Sequence, residues 1–311
     1  MENVSRINLK PSGKSWEMRK QLIDYCLNGD ESVVKHFGEK QCLAIGWSDI
    51  DTFHNGVVPK TYKEYYDNIR TTVTRINHVV NLFNYAEVGD LFWTRDLEGF
   101  YWICRVTGKA QARYYDDWDM GAIVPVEAYR YGLEVPGPIV RSFNRPRGGV
   151  SETIYGDSVT AFSRRVFNEL SGRQEYAVKT GKSSIVDSLP PFDLEELVNT
   201  YIQCKYDYYI LSNSIANKST TVNIECVFMS RDIKHPGKAI VQTKSGESTV
   251  LDEKDYEDYE KAGYKVFLFA PSYRNINYLK NAIRIQKKEI ETFYKEYKSV
   301  LPENITKWES I

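Results

Sequence analysis

Four side chains in the second half of the 311-residue chain combine residue types that can bind a metal ion and a phosphate group. Glu195 lies in a segment, 193–204, whose pattern predicts an amphipathic helix, and Glu225 lies among apolar residues of a predicted strand. Gln242 and Lys244 are two residues apart on the next predicted strand, so they share one face. Carboxylate and amide oxygens are ligands for Mg²⁺, and an ammonium group stabilises charge that develops on a phosphate. We interpret these four residues as candidate catalytic residues, the first three of them as metal ligands.

Each of these residues also has an ordinary alternative role. Polar residues such as Gln242 and Lys244 are common where a strand ends at the solvent-exposed surface. Glu195, taken alone, fits an exposed position on a helix. Polar groups within buried strands cost free energy unless something binds them. The ordered set of helix acid, strand acid and Gln-x-Lys, rather than any single member, favours a site.

This ordered set resembles the PD-(D/E)xK nuclease superfamily, and most of all its Mrr-like restriction endonucleases. Their pattern is a helix of the type F-E-x-L-V, a strand acid and Q-x-K; here the helix reads "LEELV" (194–198) and the last motif "QTK" (242–244). Glu225 stands where these enzymes usually carry Asp. The resemblance covers residues 190–311. It implies phosphodiester hydrolysis that depends on Mg²⁺ or Mn²⁺, with Glu225 and Glu195 at the metal, Gln242 positioning water and Lys244 stabilising charge.

Aromatic and acidic residues are concentrated in two segments of the first half, "LAIGWSDID" (43–51) and "VGDLFWTRDLEGFYWICRVTG" (88–108). Flat rings can stack on a base that has left the duplex, and carboxylates can hydrogen-bond its edge. The candidate base-binding residues are Trp47, Asp49, Asp90, Trp93, Tyr101 and Trp102. The alternative is that each aromatic residue belongs to the core. Tyr101 and Trp102 point to opposite sides of one strand, so at most one of them faces a pocket.

The same two segments resemble the EVE-like branch of the PUA-like superfamily, which includes the YTH domains. This resemblance covers residues 38–150 and implies a small β-barrel with an aromatic pocket for a modified base. Arginines follow in "RSFNRPRGG" (141–149), and Arg141, Arg145 and Arg147 are candidate phosphate contacts. A solvated surface is the alternative for each of them.

The order of predicted elements gives a two-domain chain of mixed α+β and α/β class. We predict an EVE/PUA-like small β-barrel with helices over 1–150, a helix and linker over 151–190, and a restriction-endonuclease-like α/β core over 191–311. Within these domains, the pattern predicts one or two helices over 61–86, a strand over 138–145 and a helix over 158–171. In the last domain it predicts the order α-β-β-β-α-β-α, ending in a helix over 275–299.

Composition excludes several classes of protein. The 41 basic and 42 acidic residues give a net charge of −1, so the chain is not a polycation. No cysteine pair has metal-ligand spacing, no signal-peptide core or 18-residue apolar run is present, and no phosphate-binding nucleotide loop occurs.

We therefore expect a bacterial cytoplasmic protein without a membrane segment or nucleotide cofactor. Its expected partner is DNA that carries a modified base. A homodimer is expected because cutting both strands takes two catalytic sites. The alternatives are a catalytically inactive nucleic-acid-binding protein and an RNA-directed nuclease.

Overall fold

The computed structural model describes residues 4–9, 14–28, 41–73, 78–144, 149–178, 184–212, 226–246 and 248–310. The chain divides into two compact units, Met1–Lys179 and Thr180–Ile311. Both units combine helices with strands, so the fold is mixed α+β. Three predicted site residues, Glu225, Arg145 and Arg147, lie outside the described residues. Among the described helices, none is long and apolar enough to cross a membrane.

The first unit is built on a curved sheet of seven strands with helices on both sides. Its elements are β1 (Val4–Ile7), α1 (Trp16–Asn28), β2 (Cys42–Ile45), α2 (Ile50–Phe53), α3 (Tyr62–Thr72), α4 (His78–Asn84), β3 (Leu91–Arg95), β4 (Tyr101–Val106), β5 (Gln111–Tyr115), β6 (Met120–Gly132), α5 (Gly137–Asn144), β7 (Ser151–Thr153) and α6 (Asp157–Ser171). The strand order is β2-β6-β4-β3-β1-β7, and β5 also pairs with β6.

Strand β6 organises this sheet because it pairs antiparallel with β2, β4 and β5 along its 13 residues. One face of the sheet forms the main core together with α1, α3 and α4, and Phe92, Cys104 and Val106 are buried there. The opposite face carries Trp93 and is packed against α6 through Phe162, 6.2 Å away between ring centroids. The end of β2 and the start of β6 lie side by side, which positions the site described below.

The predicted strand over 138–145 is wrong, because residues Gly137–Asn144 form helix α5. The apolar pair Ile139-Val140 fits a strand, but Ile139 and Ser142 are the buried positions and are three residues apart, a helical spacing. Pro138 lies in the first turn, where the amide that proline lacks has no partner within a helix. The helix predicted over 158–171 is present as α6 and ends at Gly172, whose φ is +68°.

The second unit is an α/β unit around a five-stranded sheet. Its elements are α7 (Ile185–Ser188), α8 (Pro191–Lys205), β8 (Tyr208–Ile210), β9 (Cys226–Ser230), β10 (Lys238–Thr243), β11 (Val250–Asp252), α9 (Glu257–Lys261), β12 (Lys265–Phe269), β13 (Ser272–Arg274), β14 (Ala282–Arg284), α10 (Lys287–Tyr297) and α11 (Glu303–Thr306). Strands run in the order β14-β12-β10-β9-β8; β10 is antiparallel to β9 and parallel to β12.

The helix predicted over 275–299 is only partly present. Its second half is α10, but β14 takes the place of its first half. Asn275 and Asn277 have φ values of +52° and +68°, which a right-handed helix excludes. The helix starts after Gln286, whose side chain and that of Glu289 form a reciprocal capping box. The short turns between 270 and 281 therefore decide where this helix begins.

Candidate functional site

A cavity of about 610 Å³ opens in the first unit at the end of β2. Its volume lies in the range of small-molecule pockets. The apolar part of its wall includes Leu22, Ile45, Trp47 and Phe53. Its polar side chains are Asn8, Lys14, Ser48, Asp49, Asp116 and Asp119. Trp47 and Asp49 are the two predicted base-binding residues that line it.

The backbone of Trp47 has a φ of +59°, in the left-handed region that residues other than glycine rarely adopt. Such a conformation costs about 1–3 kcal/mol and persists only where the surroundings impose it. Tyr65 donates its hydroxyl to the carbonyl of Gly46 at 2.8 Å. Nε2 of the buried His54 lies 2.8 Å from the carbonyl of Trp47. These two contacts fix the Gly46-Trp47 backbone, and with it the position of the indole ring.

The tautomer of His54 follows from its second neighbour. The amide nitrogen of Asn68 lies 3.4 Å from Nδ1 of His54. An amide N–H can only donate, so Nδ1 accepts and Nε2 carries the proton that is donated to the Trp47 carbonyl. The ring also packs on Tyr65, at 5.5 Å between centroids. His54 therefore acts on the cavity through the backbone of Trp47.

The polar wall of the cavity is centred on the buried Ser48. Its amide donates to Oδ1 of Asp119 at 3.2 Å, and its hydroxyl lies 3.2 Å from the same atom and 3.3 Å from Oδ1 of Asp116. The short 3₁₀ helix Asp116–Trp118 positions these carboxylates, because its Trp118 is buried and donates to Gln21. The arrangement presents hydrogen-bond acceptors to the cavity.

Asp49 also lines the cavity, but its carboxylate has another task. It caps α2 by accepting from the amide of Thr52 at 2.9 Å and from its hydroxyl at 2.8 Å. The hydrogen bond from the Thr52 amide is the main reason that the pKa of Asp49 lies below its usual value. The main acceptors of this wall are therefore Asp116 and Asp119.

The other four predicted base-binding residues lie elsewhere. Trp93 is completely buried, and its indole N–H is donated to Ser163 at 2.9 Å, so no base can stack on it in this fold. Tyr101 is buried beside Phe143, and Trp102 donates to Asp96 at a smaller cavity. Asp90 is buried in the turn before β3, where it accepts from the amide of Glu87. Trp93, Tyr101 and Trp102 are therefore buried aromatic residues, in line with the alternative that each of them belongs to the core.

Sequence reasoning missed Ser48, Asp116 and Asp119. The last two belong to "YYDDWDM" (114–120), in which three acids surround a tryptophan. That local pattern could have marked the segment as a polar wall. Its closeness to Trp47 could not be read from the sequence, because it arises from the pairing of β2 with β6.

In the second unit, Gln242 and Lys244 lie at the carboxyl end of the central strand β10. Gln242 is completely buried, and its amide nitrogen donates to the carbonyl of Thr243 at 3.0 Å. Lys244 is partly exposed, and its backbone amide donates to Phe269 of β12 at 2.8 Å. Among the ion pairs formed by the described residues, none involves Lys244.

The two faces of β10 pack against different partners. Ile240 belongs to a cluster with Leu251 and Tyr256, and Gln242 points to that same face. Val241 points to the opposite face together with Cys226, its partner on β9. This second face is the one that α8 covers, as the thiol of Cys226 is donated to Asn199 of α8 at 3.6 Å.

The two predicted metal ligands that the structure describes come from α8 and β10. Glu195 is one helical turn before Asn199 on α8 and is partly exposed. Gln242 points to the face of β10 opposite to the one that α8 covers at Cys226 and Asn199. Within the part of the chain that the structure describes, no group of three or more His, Cys, Asp or Glu residues could hold a metal ion. Glu225, the third predicted ligand, is outside that part.

Arg141, the phosphate-contact candidate that the structure describes, is exposed on α5. It does not line the cavity. An exposed position is compatible with a backbone contact and equally with a solvated surface.

Comparisons with known proteins give little further information. No family model matches the chain, and no curated protein matches it. Among solved structures it is similar to the MspJI restriction endonuclease in complex with a 27-mer oligonucleotide, with a TM-score of 0.25 and 7% identity. The similarity covers 68% of this chain and 62% of that chain, which is less than two thirds of the latter's length. A TM-score this low does not establish a common fold, so we infer neither fold nor function from it.

Proposed function

We propose that this protein is a DNA endonuclease whose first unit reads a base that has left the duplex. The observation that carries the proposal is the cavity at the end of β2, which combines the Trp47 ring with a wall of acceptors. An enzyme that inspects a base outside the stack needs both an aromatic surface and polar groups for the base edge. The EVE-like resemblance implies that the base bound there carries a modification.

The rigid placement of Trp47 supports this proposal. A base-stacking ring is effective only when it is held before the base arrives, since ordering it at that moment would cost binding free energy. The hydrogen bonds from Tyr65 and His54 to the backbone around Trp47 provide that order. The strained φ of Trp47 is maintained at a cavity, where strain commonly accompanies function.

Cleavage is assigned to the second unit, on the end of β10. Support comes from the elements around this strand end, which are the helix α8, the antiparallel strands β8, β9 and β10, and β12 parallel to β10. The strands β11, β13 and β14 are additions to the order predicted from the sequence. Lys244 is the proposed contact to the phosphate. The phosphate contacts of Arg141, Arg145 and Arg147, and a homodimer with two cutting sites, remain parts of the proposal.

The metal ion implied by the nuclease resemblance needs several oxygen ligands around one point. Its proposed ligands are Glu195, Glu225 and Gln242, of which Glu225 lies outside the described residues. We derive no catalytic step through Mg²⁺ or Mn²⁺.

The test uses the full-length chain with Mg²⁺ or Mn²⁺ and three substrates: modified phage DNA, the same DNA without modification, and RNA. We expect cleavage of modified DNA, and we expect Lys244→Ala to abolish it. Lys238→Ala is the matched control, because Lys238 is an exposed residue at the other end of β10. Equal cleavage by wild type and Lys244→Ala would remove the end of β10 as the cutting site.

The reading function is tested separately, by affinity for DNA. Trp47→Ala should weaken binding of modified DNA, whereas Trp16→Ala, which removes an exposed tryptophan outside the cavity, should not. Unchanged affinity in Trp47→Ala would contradict the cavity as reader.

A second candidate function is nucleic-acid binding without cleavage. It corresponds to the alternative stated from the sequence, a nuclease-like fold that binds nucleic acid without cutting it. Tight binding of DNA without any cleavage under the conditions above would select this function. Preferential cleavage of RNA would select the RNA-directed nuclease instead.

A further inference from the structure

A half-buried arginine at the end of β3 has no counter-ion within the part of the chain that the structure describes. Arg95 lies over the rings of Tyr101 and Phe143, with its guanidinium carbon 5.7 Å from each ring centroid. On the neighbouring strand β4, the half-buried Arg105 lies 3.3 Å from a carboxylate oxygen of Glu175. Arg95 differs from it, because its five N–H donors meet no acceptor among the described residues.

A second arginine lies close to this position. Arg19 of α1 donates its Nε–H to the carbonyl of Leu9 at 3.3 Å. Leu9 follows β1, which runs parallel beside β3, so the carboxyl ends of the two strands lie together. Partial burial and the nearby positive charge of Arg95 lower the pKa of Arg19. The two guanidinium groups therefore repel each other, and an anion that contacts both of them relieves this repulsion.

The chain segments that adjoin this position bring no acid. Residues 10–13 read "KPSG" after Leu9, and residues 145–148 read "RPRG" after α5, the helix of Phe143. Both segments lie outside the described residues, and their sequences contain one lysine and two arginines but no Asp or Glu. They therefore add positive charge instead of a counter-ion, and an anionic ligand is the partner that this arrangement fits.

The two rings beside Arg95 make its guanidinium group suited to a phosphate. Tyr101 is buried, and its ring lies edge to face with that of Phe143 at 5.4 Å between centroids. A guanidinium group that rests on rings held in this way is oriented before a ligand binds, which reduces the entropy lost on binding. Its planar fork of N–H donors matches the oxygen atoms of a phosphate.

We propose that Arg19 and Arg95 together bind one phosphate group of the DNA backbone. Asn8, the residue before Leu9, lines the cavity that contains Trp47, so the phosphate site borders the cavity. The phosphate is that of a nucleotide at or next to the base that enters the cavity. This inference rests on the proposed base-reading function and adds two residues to its backbone contacts.

The experiment measures the salt dependence of DNA binding by the full-length chain, with metal omitted to prevent cleavage. The probe is a short unmodified duplex, because its affinity reports backbone contacts, and NaCl is varied from about 50 to 200 mM. Each phosphate contact contributes about 0.9 to the slope of log K against log[salt]. We expect the double variant Arg19→Ala/Arg95→Ala to reduce this slope by about 0.9 and to weaken binding about tenfold at about 150 mM NaCl.

A second variant tests the site without emptying it. Arg19→Glu places a carboxylate beside Arg95, which supplies an internal counter-ion, so it should reduce the slope while urea denaturation shows no loss of stability. Arg70→Ala and Arg70→Glu are the matched controls, because Arg70 is exposed on α3 and each control makes the same change of charge. Both controls should keep the wild-type slope.

Three outcomes are decisive. A wild-type slope in both the double variant and Arg19→Glu would overturn the inference. A reduction of about 1.8 in the double variant would refute a shared phosphate, because two contacts would then be lost. Base reading is judged separately, by affinity for modified DNA. If Trp47→Ala leaves that affinity unchanged while the arginine variants reduce the slope, the base-reading function fails and the phosphate site stands.

Discussion

The close approach of β6 to the loop after β2 predicts a strong effect of Gly121→Ala. A Cβ atom at Gly121 would lie 2.5 Å from the Gly46 carbonyl oxygen, 2.7 Å from Cε2 of Tyr65 and 3.1 Å from the Trp47 carbonyl oxygen. Two of these atoms are backbone and the third belongs to a completely buried ring. The clash therefore falls on the backbone of Gly46 and Trp47 and on the Tyr65 ring, whose hydroxyl donates to the Gly46 carbonyl. Overpacking of this kind costs about 1–3 kcal/mol, and we expect a value near the upper end.

The assay compares Gly121→Ala with Gly132→Ala, a glycine on the same strand whose Cβ would meet nothing within 4 Å. Urea denaturation of both variants should show a loss of about 3 kcal/mol for the first and less than about 0.5 kcal/mol for the second. Affinity for modified DNA should fall with Gly121→Ala alone, because its clash is with the backbone around Trp47. Equal stability of the two variants would refute the view that β6 fixes this loop.

Three further predictions concern other parts of the chain. His54→Ala should weaken binding of a DNA duplex that carries one unpaired base about fivefold, because one hydrogen bond to the Trp47 carbonyl is lost. His54→Gln can still donate to that carbonyl and should retain most of the affinity in the same titration. Asp193→Ala should lower the free energy of unfolding in urea by about 1–3 kcal/mol, because it leaves the completely buried indole N–H of Trp308 without the acceptor that it has at 2.8 Å. Alkylation at pH 8 should modify Cys204 quickly and the four buried thiols slowly, as burial raises the pKa of thiols such as Cys26. Burial raises the pKa of the Cys26 and Cys104 thiols, so stability should fall as the pH rises above about 8.5, where these two thiols ionise in the unfolded chain but stay protonated in the folded one; a flat profile in pH-dependent denaturation would contradict this.

The sequence predicts the regular elements well where the pattern is long. The helix predicted over 158–171 is present because its apolar residues recur at helical spacing, with Val159, Phe162 and Val166 among the buried ones. The pattern fails at short segments such as 138–145, where two adjacent apolar residues fit either period. It also fails at 275–286, where the left-handed Asn275 and Asn277 exclude a helix and β14 follows, so that α10 begins only at the capping box of Gln286.

The candidate site is predicted less completely, since a site depends on contacts between distant segments. Trp47 can be singled out because it follows a glycine at the end of a strand, and it lines the cavity. Trp93 has the same residue type, but its neighbour in space is Ser163, seventy residues later in the chain. No local pattern distinguishes a ring that lines a cavity from one that is covered by a helix.

The strand motif shows a different limit of sequence reasoning. Alternation along β10 places Gln242 and Lys244 on one face, but it cannot determine which face α8 covers. That choice depends on the register of β9, where Cys226 pairs with Val241 and contacts Asn199. A shift of that register by one residue would exchange the faces. The ordered set of helix acid and strand motif therefore does not by itself determine on which face of β10 the helix lies. The cavity around Trp47 does not depend on this choice, because the described residues that line it all belong to the first unit. Base reading can consequently be tested, and can hold, whether or not the end of β10 cleaves a phosphodiester.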